Sequence, residues 1–305
     1  EATADITVSI PDYNLADLAL NASVVQDNRA KRVDIKNISL GSRSRNFSLN
    51  VNGFIVQGKA PFSDSDVRIS FALNNPELKN LYGPWDSSGK IAFDTRLRGD
   101  LETGSVRGTF IMDRFFIKNR ETYLALNNAN MSFPFVFDFR SAGKGQSLLG
   151  VRQSQVIDNK RFTDKPNFRI DSIWAKHPAR NIPFQYLKDF SAFMEFRDNV
   201  FRLTEMKAYV IDGSLYSRRI MVNLGNLDMA HLDFNSIKDN IEYALNLDLT
   251  NVDIGRLDEI EDSKKRRDAE LSFNANFAGR GVDMSRELNA EGYINIFKVG
   301  KNFAN

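Results

Sequence analysis

Large apolar residues recur at every second position through most of the chain. Examples are Ile6, Val8 and Ile10; Phe47, Leu49 and Val51; Val67, Ile69, Phe71 and Leu73; Ile91 and Phe93; Phe133, Phe135, Phe137 and Phe139; and Ile241, Tyr243, Leu245, Leu247 and Leu249. A period of two places such residues on one side of a strand and the intervening polar residues on the other. The stretch "ELSFNANFAG" does so with Leu271, Phe273, Ala275 and Phe277 against Ser272, Asn274 and Asn276, and "YINI" repeats the pattern with Ile294 and Ile296.

Turn-forming residues punctuate these runs: Asn52-Gly53, Gly58, Gly89, Gly99, Gly104, Asp212-Gly213, Gly225, Gly279 and Gly281 each fall at an expected strand end or bulge. The pattern predicts an all-β chain, an antiparallel meander with one or two short helices. The candidates for those helices are "NPELKNLYG" (75–83) and "IPFQYLKDFSAF" (182–193), the second because Leu187, Phe190 and Phe193 or Met194 are spaced at helical intervals. Alternation weakens over 141–181, which is expected to be an irregular linker or rim insertion between a first β segment, 1–140, and a second, 182–305.

A degenerate repeat is present. "VDIKNISLG" (33–41) matches "LDLTNVDIG" (247–255) as apolar, Asp, apolar, polar, Asn, apolar, polar, apolar, Gly, and "LALNNANMS" (124–132) follows part of it. Such recurrence suggests stacked β units.

Charge and composition narrow the function classes. Lys plus Arg number 41 against 39 Asp plus Glu, and the two signs are interspersed, so no nucleic-acid partner is expected. With no cysteine and only two histidines, His177 and His231, neither a thiolate metal site nor a thiol nucleophile is available, and both histidines read as ordinary surface or strand residues. "AGKGQS" (142–147) lacks the phosphate-loop spacing and reads as a turn; "GSRSRN" (41–46) and "DEIEDSKKRRD" (258–268) read as solvated loops. The expectation is a non-enzyme with no catalytic residues, no metal and no cofactor. Neither a spanning helix nor a signal peptide is legible, and the chain is expected to be a segment of something longer.

The 24 phenylalanines stand out against 2 tryptophans and 8 tyrosines. Phenylalanine has no polar handle, so a stripe of it across neighbouring strands makes a purely apolar surface. Such a surface is either the dry core of a β-sandwich or the lining of a groove for apolar cargo.

"IPFQYLKDFSAFMEFRDNVFRLTEMKAYVIDGSLYSRRIMVNLGN" (182–226), "YALNLDLTNVDIGRLDEI" and "AELSFNANFAGRGVDMSRELNAEGYINIFKVG" resemble the C-terminal part of the AsmA-like family, the TamB and YhdP group. The matching elements come in order: the "DGSL" step with Gly213, a strand ending in Gly225, "NVDIGRL", the "FAGRG" turn, and "LNAEGYINI" with Gly292. "WDSSGKIAFDTRLRGDLETGSVRGTFIM" (85–112) looks like the repetitive hairpins of the same group, whereas 146–181 has no counterpart. The resemblance implies an elongated, curved antiparallel sheet forming an open apolar groove. It further implies a periplasmic protein anchored in the inner membrane of diderm bacteria, carrying phospholipids towards the outer membrane. On that reading the cargo is bound phospholipid, and the partners are the two membranes, reached through regions outside this segment, and outer-membrane proteins. The groove-lining residues are expected to be Val67, Ile69, Phe71, Leu73, Ile91, Phe93, Phe133, Phe135, Phe137, Phe139, Ile241, Tyr243, Leu245, Leu247, Leu249, Leu271, Phe273, Phe277, Ile294 and Ile296. The alternatives are an adhesin-type or structural β-sandwich, a transmembrane β-barrel, and an outer-membrane assembly factor that works through strand pairing.

Overall fold

The structure, a computed structural model, describes residues 2–10, 15–42, 47–56, 65–74, 84–99, 104–138, 166–197, 199–224, 241–258, 269–281 and 288–299. These residues form one sheet of fifteen strands: β1 (Ala2–Ile10), β2 (Leu15–Asp27), β3 (Arg32–Ser42), β4 (Phe47–Val56), β5 (Asp66–Asn74), β6 (Trp85–Arg98), β7 (Ser105–Asn119), β8 (Ala125–Asp138), β9 (Phe168–Lys176), β10 (Pro183–Arg197), β11 (Val200–Val210), β12 (Gly213–Asn223), β13 (Glu242–Asp253), β14 (Glu270–Arg280) and β15 (Leu288–Phe297). Every strand pairs antiparallel with the next in sequence, and β1 and β15 are not joined, so the sheet is an open, curved meander.

The curvature has a local cause. Five strands carry a non-glycine residue with left-handed backbone in mid-strand: Arg114 in β7, Asn128 in β8, Asp189 in β10, Glu205 in β11 and Asn251 in β13. In β7, β10 and β13 the pairing register with a neighbouring strand shifts at that residue. A β-bulge of this kind inserts one residue, bends its strand and sharpens the twist. The extra backbone groups find side-chain partners on adjacent strands. The Arg114 N–H donates to Asn130 Oδ1 at 2.9 Å, and the Asn251 N–H donates to Ser272 Oγ at 3.1 Å. Gly89 (φ 97°) bulges β6 beside Arg114, whose carbonyl would lie 2.4 Å from an added Cβ, so only glycine fits there.

Halfway along the sheet, β9 is a wedge. It separates β8 from β10 over part of their length, pairing with Ala125–Met131 on one side and Pro183–Ala192 on the other. Beyond its first residues β8 and β10 meet directly, in parallel, at Phe135 and Phe196. One half of the sheet therefore contains a strand that the other half lacks.

Two expectations are corrected. Residues 183–197 form strand β10 rather than a helix, because the Asp189 bulge stretches the inward spacing from two residues to three between Leu187 and Phe190 and so imitates a helical interval. Within 141–181, residues 168–176 form β9 instead of an irregular stretch. Among the described residues the only helical element is a single 3-10 turn, Ile254–Leu257; the expected helix at 75–83 lies outside the described residues. Asn52-Gly53, expected at a strand end or bulge, lies inside β4 where the β3–β4 register shifts, and Gly53 has φ 135°.

Candidate functional site

Residues directly opposite each other in a sheet project to the same face, so the register traces that face across strands. From Leu20 in β2 the opposing positions run through Leu40, Leu49, Phe71, Phe93 and Phe110 to Phe133 in β8. One step along β8, Met131 continues the row through Phe168 in β9 to Ala192 in β10. Its neighbour Met194 carries it on through Leu203, Ile220, Leu245 and Phe277 to Ala290 in β15. Fourteen consecutive strands thus each place an apolar residue in one unbroken row. At about 4.8 Å per strand the row is roughly 60 Å long.

The other face is polar. Asn50, Ser70, Asp94 and Thr109 oppose one another across β4 to β7, and Asn246, Asn276 and Glu291 do so across β13 to β15. Cross-strand ion pairs and amide bonds hold this face. Arg68 grips Asp94, Arg96 grips Asp66, and Asn246 donates to Asn276 at 2.8 Å.

The apolar face is concave. Phe133 of β8 and Phe201 of β11 lie on either side of β10, yet their ring centroids are 6.0 Å apart. Phe137 stacks on Phe196 at 5.7 Å. These rings, with Val106, Phe135, Val222 and Leu224, line an apolar cavity of about 640 Å³ where β8 and β10 converge past the tip of β9. Gly108 makes room for it: the Phe135 ring occupies the space of the missing side chain, 2.6 Å from where a Cβ would sit. Along the crease made by the bulges the face instead packs on itself. Phe115, Ala129, Ile170, Phe190, Met194, Leu203 and Met206 form a buried cluster that is touched by Ile91 from β6 and Leu247 from β13.

The structure brings the sequence-derived lining residues to this one face. Val67, Ile69, Phe71 and Leu73 lie opposite Leu97, Thr95, Phe93 and Ile91. Phe133, Phe135 and Phe137 lie opposite Phe110, Gly108 and Val106. Tyr243, Leu245, Leu247 and Leu249 lie opposite Gly279, Phe277, Ala275 and Phe273, and Leu271 and Phe273 lie opposite Ile296 and Ile294. Ile241 stands just before β13, its carbonyl accepting from the Gly281 N–H at 2.7 Å. Phe139 lies outside the described residues. Their exposure is uneven: Val67 and Phe137 are buried, whereas Ile294 and Ile296 on the outer strand are 64% and 51% exposed. The sequence reading missed Val106, Phe110, Phe196, Phe201, Val222 and Leu224. The alternation of Phe196 with Met194, and of Phe201 with Leu203, was the signal available for two of them.

His177 is a correction. Instead of an ordinary surface or strand residue it is fully buried just past the end of β9, in the β9–β10 connection. Nδ1 accepts from the Ala179 N–H at 3.1 Å, which leaves Nε2 to donate to the Arg256 carbonyl at 2.8 Å, and the ring meets Phe184 edge-on. It therefore ties the connection to the 3-10 turn. His231, Arg43, Arg45, the 142–147 turn and residues 259–268 of the charged run lie outside the described residues.

No protein-family model, curated protein or solved structure matches this chain. What the fold defines is a class by geometry: an open single-sheet β groove with one apolar and one polar face.

Proposed function

We propose that this chain shelters phospholipid acyl chains on its apolar sheet face and conducts them along the sheet. In this reading it forms part of a bridge through the periplasm between inner and outer membranes, as its likeness to AsmA-like proteins implies. The observation that carries the proposal is the unbroken apolar row across β2–β15, with no second sheet laid over it among the described residues. A β-sandwich would cover such a face with a second layer, and a closed barrel would join β1 to β15.

Energetics favour a groove over free diffusion. Each methylene exposed to water costs roughly 0.8 kcal/mol, so a sixteen-carbon chain faces a cost on the order of 10 kcal/mol. A row of roughly 60 Å is several times the reach of one acyl chain, which spans about half of a hydrocarbon core about 30 Å thick. Shelter along such a length serves passage rather than fixed storage. The headgroup stays in water at the open side, and the apolar side chains lack donors and acceptors that would trap it.

Transfer of a fluorescent phospholipid between donor and acceptor vesicles tests this. The wild-type chain should accelerate transfer. Phe277→Asp should abolish most of that acceleration by placing a charge on the apolar face, whereas Asn276→Asp, one residue away on the polar face, should leave it intact. Equal rates for all three proteins would overturn the reading.

A second reading rests on β15. Tyr293, Ile294, Ile296 and Phe297 expose 58%, 64%, 51% and 47% of their surface at a sheet edge. Such an edge accepts an incoming strand, which is how an outer-membrane assembly factor would engage its client. Disulfide trapping between a cysteine at Tyr293 and cysteines in client strands distinguishes this from lipid carriage.

A further inference from the structure

On the polar face, Arg68, Arg96 and Arg107 lie directly opposite one another on β5, β6 and β7, with Asn52 of β4 continuing the row. Like charges aligned across strands destabilise a sheet unless something neutralises them. Two carboxylates do so in part, and both bind diagonally. Asp94 takes Arg68 through Nε and Nη2 at 3.0 and 2.5 Å, and Asp66 takes Arg96 through Nε and Nη2 at 2.7 and 2.6 Å. Asp66 also receives Arg98 at 3.4 Å. Four guanidinium groups therefore face two carboxylates. Among the described residues Arg107 has no carboxylate partner, and the Nη1 donors of Arg68 and Arg96 are not used by either aspartate. These residues are not scattered: Asn52, Gly53, Phe54, Asp66, Arg68, Asp94, Arg96 and Arg107 line one recess of about 520 Å³.

We infer that this recess is an anion site for a phosphate group, with Arg107 as its principal ligand and the free Nη1 groups of Arg68 and Arg96 and the Asn52 carboxamide beside it. A phosphate has enough oxygens to accept from several donors at once, and guanidinium forks match its geometry. Asp66 and Asp94 hold two of the three arginines in fixed orientation while leaving the row positive. The site lies on the face away from the apolar groove, so it stands whether or not that groove carries lipid. Either a free phosphate or the headgroup of an anionic phospholipid at a membrane surface supplies the same chemistry.

The test uses the full chain, with Arg107→Glu and, as a control of equal charge change, Arg29→Glu in the exposed β2–β3 turn. Arginine side-chain NMR signals are followed during titration with inorganic phosphate at constant ionic strength set by chloride. Shifts at Arg68, Arg96 and Arg107 with phosphate, weakened at least tenfold in Arg107→Glu and unchanged in Arg29→Glu, are expected. Co-sedimentation with phosphatidylglycerol-containing vesicles, against phosphatidylcholine vesicles, then separates the sources. Vesicle binding that falls at least fivefold in Arg107→Glu but not in Arg29→Glu assigns the site to headgroups; equal vesicle binding by both variants assigns it to a free phosphate. If phosphate and chloride produce the same shifts, or both variants lose phosphate binding equally, the site does not exist.

Discussion

The side chain of Asn167 pairs with Met194 as a strand backbone would. Its Oδ1 accepts from the Met194 N–H at 2.7 Å, and its Nδ2 donates to the Met194 carbonyl at 2.7 Å. Its own carbonyl meanwhile accepts from the Ser132 N–H at 2.8 Å. One residue thus closes the tip of the β9 wedge to β10 on one side and to β8 on the other. Past that point β8 and β10 come together and the phenylalanine-lined cavity opens.

Removing this amide tests whether the wedge depends on it. Asn167→Ala leaves the backbone groups of Met194, a buried residue, without partners, and is expected to cost about 1–3 kcal/mol in urea unfolding. Asn167→Asp keeps the acceptor and loses the donor, so it should also be destabilised. A value near zero for both variants would show that β8 and β10 converge without help.

The apolar face divides into a packed crease and an open lining, and the two should respond differently to truncation. Phe115 is 7% exposed within the buried cluster, so Phe115→Ala should cost about 3–5 kcal/mol. Phe201 is only half-buried and borders the cavity, so Phe201→Ala should cost no more than about 1–2 kcal/mol. Equal losses in chemical denaturation would mean that the cavity is closed in solution.

Gly108 provides a steric test. A Cβ there would lie 2.5 Å from the Asp94 carbonyl oxygen and 2.6 Å from the Phe135 ring. Gly108→Ala is therefore expected to destabilise by about 1–3 kcal/mol, as overpacked sites do. Adding Phe135→Leu should recover only part of the loss, because the backbone oxygen cannot move aside as a side chain can. Complete recovery in the double mutant would assign the whole clash to the ring.

The polar-face ion pairs make a prediction about acid. The hydrogen bond from Arg96 holds the Asp66 carboxyl below its usual range, and the hydrogen bond from Arg68 does the same for Asp94. A carboxyl depressed on folding adds stability at neutral pH, which is lost as pH falls below the usual carboxylate value towards the folded one. Both arginines are more than half exposed, and Asp94 and Asp66 keep 48% and 25% of their side-chain surface in solvent, so screening keeps the contribution small. Asp66→Asn should show a shallower loss of urea midpoint than wild type between about pH 5 and pH 3. An unchanged slope would mean that the pair contributes nothing measurable.

Much of the sheet was readable because a period of two survives wherever strands run straight; β5, β14 and the first half of β13 are examples. It failed at the bulges. Leu187 to Phe190, Met112 to Phe115 and Leu203 to Met206 are inward apolar positions three residues apart, each step containing a left-handed residue, Asp189, Arg114 or Glu205. Read without coordinates, a three-residue step looks helical. The degenerate repeat recorded the same event. Its shared asparagine falls at Asn128 and Asn251, both left-handed, and at Asn37, where the β3–β4 register shifts. Asparagine tolerates that backbone better than most residues. The repeat is thus a bulged-strand signature. Neither the β9 wedge nor the convergence of Phe135 with Phe196 was legible, since both depend on which strands run past their neighbours rather than on any local pattern. The burial of His177 was equally hidden, because its main partner, the carbonyl of Arg256, lies far along the chain.

Site-specific photo-crosslinking is the most direct measurement of the central claim. A benzophenone amino acid is placed at Phe273 and, separately, at Asn274, adjacent residues of β14 on opposite faces, in diderm cells labelled with radioactive phosphate. Phospholipid adducts at Phe273 and none at Asn274 are the predicted result. No adduct at Phe273, nor at Phe71, Phe135 or Leu247 on the same face, would contradict lipid carriage and would mean that something else covers the apolar row.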